Sequence, residues 1–76
     1  MPKTIDDYIE ERNAIQLKAE PLGDKEANKC WAELGVANRH ITRVLDGMFE
    51  LGDVEKEIEA CFHRVRKMYE RPASNP

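Results

Sequence analysis

The stretch EIEACFHRVRKMYERP, residues 57–72, gathers the side chains of this 76-residue chain best equipped for chemistry: Cys61, His63 and the cations Arg64, Arg66, Lys67 and Arg71. With Cys30 and His40 these supply two thiols and two imidazoles, the donor types of a zinc site. Their spacing argues against one. Cys61 and His63 are two residues apart, which on a helix points them to nearly opposite faces, and there is no CxxC or HxxxH pair to converge on one ion. The expectation is no metal and no cofactor, with cysteines in the core and histidines on the surface.

Catalytic constellations fare no better. The chain has no glycine-rich phosphate loop, no GxSxG elbow and no cysteine with a histidine on the same face, while its carboxylates fall at capping and solvent-facing positions. A domain this small, with its apolar residues committed to helix seams, also has little room for a buried pocket. No enzyme is expected.

Arg64, Lys67 and Arg71 stand at i, i+3 and i+7 with His63 and Arg66 beside them, so they form one cationic stripe that phosphates would find. A helix end rich in Lys and Arg is also what compensation of the helix dipole produces. The formal net charge of −3 argues against a general nucleic-acid coat. A membrane-surface helix would need a cationic polar face throughout, and the acidic first half of this segment, Asp53, Glu55, Glu57 and Glu59, opposes that. No apolar run approaches the ~18 residues that would span a bilayer, and the opening MPKTIDDYIEE lacks the pattern of a secretion signal. Two cysteines are too few for a disulfide framework. The expected location is cytoplasmic.

The elements that position these residues follow from punctuation and period. Turn signals at PLGD (Pro21 to Asp24), at LGD (Leu51 to Asp53) and at the RPASNP tail cut the chain into three helical segments, with no strand pattern between them. The expected architecture is all-α, a single helical domain over residues 1–76. It is a three-helix antiparallel bundle with helices about 4–20, 24–50 and 53–71 and a flexible tail 72–76. Thr4 caps the first helix, whose apolar face is Ile5, Tyr8, Ile9, Ile15 and Ala19, interrupted by Arg12.

The second segment is the most regular. Ala27, Cys30, Leu34, Ala37, Ile41, Val44 and Met48 step by 3 and 4 alternately, the spacing of a coiled-coil seam. Trp31, Leu45 and Phe49 widen it, which predicts a long central helix touched from two sides. Gly35 and Gly47 should weaken it by ~1 kcal/mol each if exposed in mid-helix. In the third segment, capped by Asp53, Val54, Ile58, Cys61, Val65 and Met68 make a matching seam with Phe62 and Tyr69 beside it.

Short connections make neighbouring helices antiparallel. Folding about Gly23 sets Ile15 against Trp31 and brings the acidic start of the first helix to Arg39, His40 and Arg43. Folding about Gly52 separates Cys30 from Cys61 by about thirteen residues, on the order of 20 Å, too far for a disulfide.

A 76-residue chain is near the size at which one core only just offsets chain entropy. Leu17, Leu22, Val36 and Leu51 fall off the main stripes, which is more apolar surface than a three-helix monomer needs. The sequence therefore predicts a homodimer and a non-catalytic protein-interaction module, an inhibitor or adaptor that binds a protein partner. Small phage or mobile-element accessory proteins acting on a host factor share its size, acidity and lack of catalytic residues, a compositional analogy. The expected partner surface comprises Val36, Arg39, Arg43, Arg64, Lys67, Tyr69 and Arg71. The alternative is a DNA-binding regulator using the basic stripe of the last helix.

Overall fold

The structure, a computed structural model, describes residues 3–70. Arg71 and the 72–76 tail lie outside the described residues. The chain forms α1 (Ile5–Ala19), α2 (Asp24–Leu45) and α3 (Leu51–Tyr69), with no strand among the described residues.

α1 starts at a reciprocal capping box. Thr4 Oγ1 accepts the Asp7 N–H at 3.3 Å, while the Asp7 carboxylate accepts the Thr4 N–H at 2.8 Å, so two amide groups left over at the helix start are satisfied.

α2 is shorter than the expected 24–50. It ends at Leu45 because Gly47 takes a φ of +78°, a conformation that L side chains resist. The N–H groups of Gly47 and Met48 turn back to the carbonyls of Val44 and Arg43 at 3.0 and 2.9 Å, the paired closure of a Schellman motif. Gly47 is thus the helix stop, not a weak point inside it. α3 then begins two residues early, with Glu50 at the N-cap and Asp53 inside the first turn, so the expected Asp53 cap is corrected.

The core is one cluster: Tyr8, Ile15 and Ala19 from α1, Cys30, Leu34, Ala37 and Ile41 from α2, and Val54, Ile58, Cys61, Phe62 and Val65 from α3. Ile5, Ile9, Leu22, Val44, Leu51, Met68 and Tyr69 pack around it, half-buried. Leu22 and Leu51 are therefore not spare surface. The four residues expected to extend or widen the α2 seam are exposed instead: Trp31, Leu45, Met48 and Phe49. Met48 and Phe49 lie beyond the helix stop, so the heptad step no longer aims them inward. Trp31 keeps 38% of its surface exposed, at the margin of the core rather than inside it.

Cross-helix bonds set directions and register. Glu33 pairs with Arg64, and the Cys30 thiol lies 3.3 Å from the Met68 sulfur. Stepping backward along α2 thus steps forward along α3, and the two are antiparallel. These pairs place the fold-back at residues 48–49, near Gly47, rather than at Gly52. Cys61 consequently lies seven residues from the level of Cys30, about 10 Å at helical rise, in place of the expected thirteen. Both cysteines are free and buried.

Arg12 donates to Asn38 at 2.6 Å between α1 and α2. Tyr8 reaches Glu55 and Glu59, and Glu11 reaches Arg66, so α1 and α3 run parallel, in contact with each other as well as with α2. The expected charge match between the start of α1 and Arg39, His40 and Arg43 is not what holds α1. Its carboxylate at Glu11 and its phenol at Tyr8 bind α3.

Candidate functional site

An α-helix shows on its far side whatever is about two residues out of step with its buried stripe, since residues three or four apart share a face. On α2 the buried stripe is Cys30, Leu34, Ala37 and Ile41, and the opposite side carries Lys25, Lys29, Ala32, Val36, Arg39 and Arg43, again stepping by 4 and 3. The first five are exposed and Arg43 is half-buried. The stripe has cations at both ends and an apolar middle, in which Val36 keeps 42% of its surface. Gly35 adjoins that middle, with nothing within 4 Å of where a Cβ would stand. Among the described residues, Lys25, Lys29 and Arg39 are placed in no ion pair.

The stripe runs into an apolar knuckle. Leu45, Met48 and Phe49 surround the Gly47 turn with 58, 66 and 39% of their surface exposed, and the Arg43 guanidinium lies 5.8 Å from the Phe49 ring centre. The exposure of Met48 and Phe49 follows from the Schellman closure, which aims the chain away from the core, while Leu45 ends α2 just before it. The Asp46-Gly47 dipeptide, a turn signal in its own right, was the clue to it.

The candidates on α3 are partly engaged. Arg64 bridges to Glu33 at 2.9 Å, and Arg66 is bonded to Glu11. Lys67 is exposed, while Tyr69 is half-buried against the core, where burial first of all pushes its phenol above the ordinary value. Structure thus gathers Val36, Arg39 and Arg43 on one stripe and ties Arg64 to the edge of the same helix through Glu33. Tyr69 is set apart, in the packing with α1. Arg71 lies outside the described residues. Lys25 and Lys29 escaped the sequence reading, although their 4-3 spacing to Val36 was visible there.

The thiols and imidazoles are dispersed. Among the described residues no group of three His, Cys, Asp or Glu side chains is placed to hold a metal ion. Burial is the main cause that raises both Cys30 and Cys61 above the usual thiol value, which keeps them protonated and weakly nucleophilic near neutrality. His63 is exposed, and His40 is half-buried with its Nδ1 lacking a hydrogen-bond partner.

The most polar interior contact is structural. Tyr8, fully buried, places its hydroxyl 2.5 Å from Glu55 and 2.8 Å from Glu59. A phenol has one proton, so it donates to one carboxylate at a time. Burial, then these two bonds, push the phenol well above its ordinary value, and the group anchors α1 to α3. A groove of about 220 Å³ further along α1 and α3, lined by Ile15, Lys18, Arg66 and Tyr69 among others, is below the ~300 Å³ at which small-molecule pockets begin.

Set beside known proteins, the chain matches no family model, no curated protein and no solved structure. No helix among the described residues is long and apolar enough to cross a membrane.

Proposed function

We propose that this chain is a non-catalytic protein-interaction module, an inhibitor or adaptor that docks a partner with an acidic surface along the outer face of α2 and that associates with itself, in the first instance as a dimer. The observation that carries the reading is the stripe Lys25, Lys29, Ala32, Val36, Arg39 and Arg43, which is turned away from the core and ends at the apolar knuckle of Leu45, Met48 and Phe49. A partner that covers cations and apolar side chains together gains from both, because desolvated apolar contacts supply affinity and charge complementarity supplies approach rate and register. Lys67, exposed on the neighbouring helix, and Arg64, held by Glu33, extend the basic field.

The chemistry of this face favours protein over nucleic acid. A phosphate backbone would meet the cations but leave Val36, Met48 and Phe49 without an apolar counterpart. The α3 stripe, on which the DNA-binding alternative rested, has Arg64 engaged with Glu33. Two unpaired buried thiols suit a reducing compartment and support a cytoplasmic site of action.

Pull-down from a native lysate, with the wild-type chain and the Arg39→Glu/Arg43→Glu variant as parallel baits, tests the reading. A protein retained by the first and lost from the second, with both baits equally helical, is the expected result. Equal retention by both baits would refute it. Gel-shift across a salt series addresses the alternative: sharply salt-dependent retardation of DNA would replace the protein partner by a nucleic acid.

A further inference from the structure

The outer face of α1 carries a stripe of its own. Asp6, Glu10, Asn13, Leu17 and Glu20 step by 4, 3, 4 and 3, opposite the buried Tyr8, Ile15 and Ala19, and all five are exposed. Its ends are acidic and its centre is Asn13 and Leu17, the latter with 66% of its surface open. Read in the reverse direction, the α2 stripe from Arg43 to Lys29 has the same steps and the opposite charges.

We propose that the α1 stripe of one chain docks on the α2 stripe of a second copy, antiparallel, so that Asp6 meets Arg43, Glu10 meets Arg39, Asn13 meets Val36, Leu17 meets Ala32 and Glu20 meets Lys29. This rests on the reading of the α2 stripe as a docking face and names an occupant for it. Every charged rung is then paired with its opposite, and the exposed Leu17 is laid on the open middle of α2 beside Gly35, where no Cβ stands in the way. The antiparallel direction also sets the two helix dipoles head to tail. Within one chain the two stripes cannot meet, because each lies on the far side of its helix from the shared core.

Like stripes repel. An α2-on-α2 contact would face cation with cation and an α1-on-α1 contact would face carboxylate with carboxylate, so a two-fold contact through either stripe alone is disfavoured. The contact that remains is head-to-tail, and such an interface leaves one unpaired stripe of each sign on the first dimer. Further chains add as concentration rises. A single helix pair buries less than the roughly 1,200–2,000 Å² of a stable complex, so the association is weak and sensitive to salt.

Sedimentation velocity on the wild-type chain and on two charge-reversed variants, Glu10→Lys/Glu20→Lys in α1 and Lys29→Glu/Arg39→Glu in α2, tests the proposal. The wild type should exceed 8.8 kDa in weight-average mass at low salt and high micromolar concentration, and return to it in about 0.5 M salt, where screening shortens the reach of charge to a few ångströms. Each variant alone should stay monomeric. Mixed in equal amounts they should associate again, since the reversed α1 stripe now fits the reversed α2 stripe and the two unchanged stripes still fit each other.

A wild type that stays monomeric, a variant that still associates alone, or a mixture that fails to recover would overturn the proposal. Should either reversal unfold the chain, Glu10→Gln/Glu20→Gln and Lys29→Gln/Arg39→Gln take its place. Each should then weaken association at least several-fold, and unchanged association would overturn the proposal. The α1 variants leave the α2 stripe intact, so they distinguish the two readings. Loss of self-association with the protein partner still retained in pull-down marks the second copy as one occupant of that stripe, whereas failure of the docking-face reading shows only in the α2 variants.

Discussion

The two faces of α2 share one spacing and have opposite chemistry. Cys30, Leu34, Ala37 and Ile41 step through the core with almost no exposed surface, while Lys25, Lys29, Ala32, Val36, Arg39 and Arg43 step through solvent at the same intervals. The inner face holds the fold, because burying apolar area is the dominant favourable term and an interruption there has no compensation. The outer face is open to solvent, with Arg43 alone half-buried. A heptad step therefore says that two helices would fit, and the side chains on it say whether the second helix belongs to the same chain.

Substitutions can break that contrast. The largest expected effect is Ile41→Asp, which puts an unpaired carboxylate in the middle of the inner stripe. Its cost of several kcal/mol is comparable to the whole stability of a small domain, and circular dichroism should show loss of cooperative unfolding.

Tyr8→Phe comes next. It removes the hydroxyl that ties α1 to Glu55 and Glu59 and should cost about 1 to 2 kcal/mol by denaturant titration, since a hydrogen bond to a charged acceptor is among the stronger ones and both glutamates keep some access to water. The same group gives a pH dependence. Burial first, and the carboxylates second, hold the Tyr8 phenol above its ordinary value, so its contribution is whole below about pH 10 and is lost as pH rises from there. Cys30 and Cys61, raised mainly by burial, act in the same sense from about pH 8.5. Wild-type stability should fall on the alkaline side, and Tyr8→Phe should flatten the part of that fall above about pH 10.

Gly47→Ala should cost about 1 kcal/mol, seen as a lower melting temperature, because its φ of +78° is strained for any residue with a Cβ even though the space around it is open. The smallest effect is expected at the edge between the two faces. His40→Leu removes a buried nitrogen that has no partner and should leave stability unchanged or raise it by up to about 1 kcal/mol.

Much of the fold was legible because it depends on local signals. The Thr4 cap and the buried positions Cys30, Leu34, Ala37, Ile41, Val54, Ile58, Cys61 and Val65 follow from capping chemistry and period alone. What was not legible depends on conformation or register. Met48 continues the 3-4 step, so the period places it in the core. Only the left-handed turn available to Gly47 takes it out, and the same turn moves the fold-back from Gly52 and halves the expected distance between the cysteines. The Tyr8 bonds to Glu55 and Glu59 join residues far apart in sequence and need the parallel alignment of α1 with α3, which no local pattern encodes. Of the candidate site, Val36, Arg39 and Arg43 could be read as solvent-facing. Lys25 and Lys29 belonged to the same stripe but looked like the ordinary polar start of a helix.

The separation of the two faces is tested most directly by thermal unfolding of one chain carrying Lys25→Gln, Lys29→Gln, Arg39→Gln and Arg43→Gln. Glutamine is a good helix former, so these changes remove the charge of the outer face without breaking α2. The expected result is cooperative unfolding with a melting temperature within a few degrees of the wild type, because Lys25, Lys29 and Arg39 are exposed and the half-buried Arg43 loses only its contact with the Phe49 ring. A collapse of the transition, or a loss of stability as large as that of Ile41→Asp, would mean that the outer stripe is part of what holds the fold.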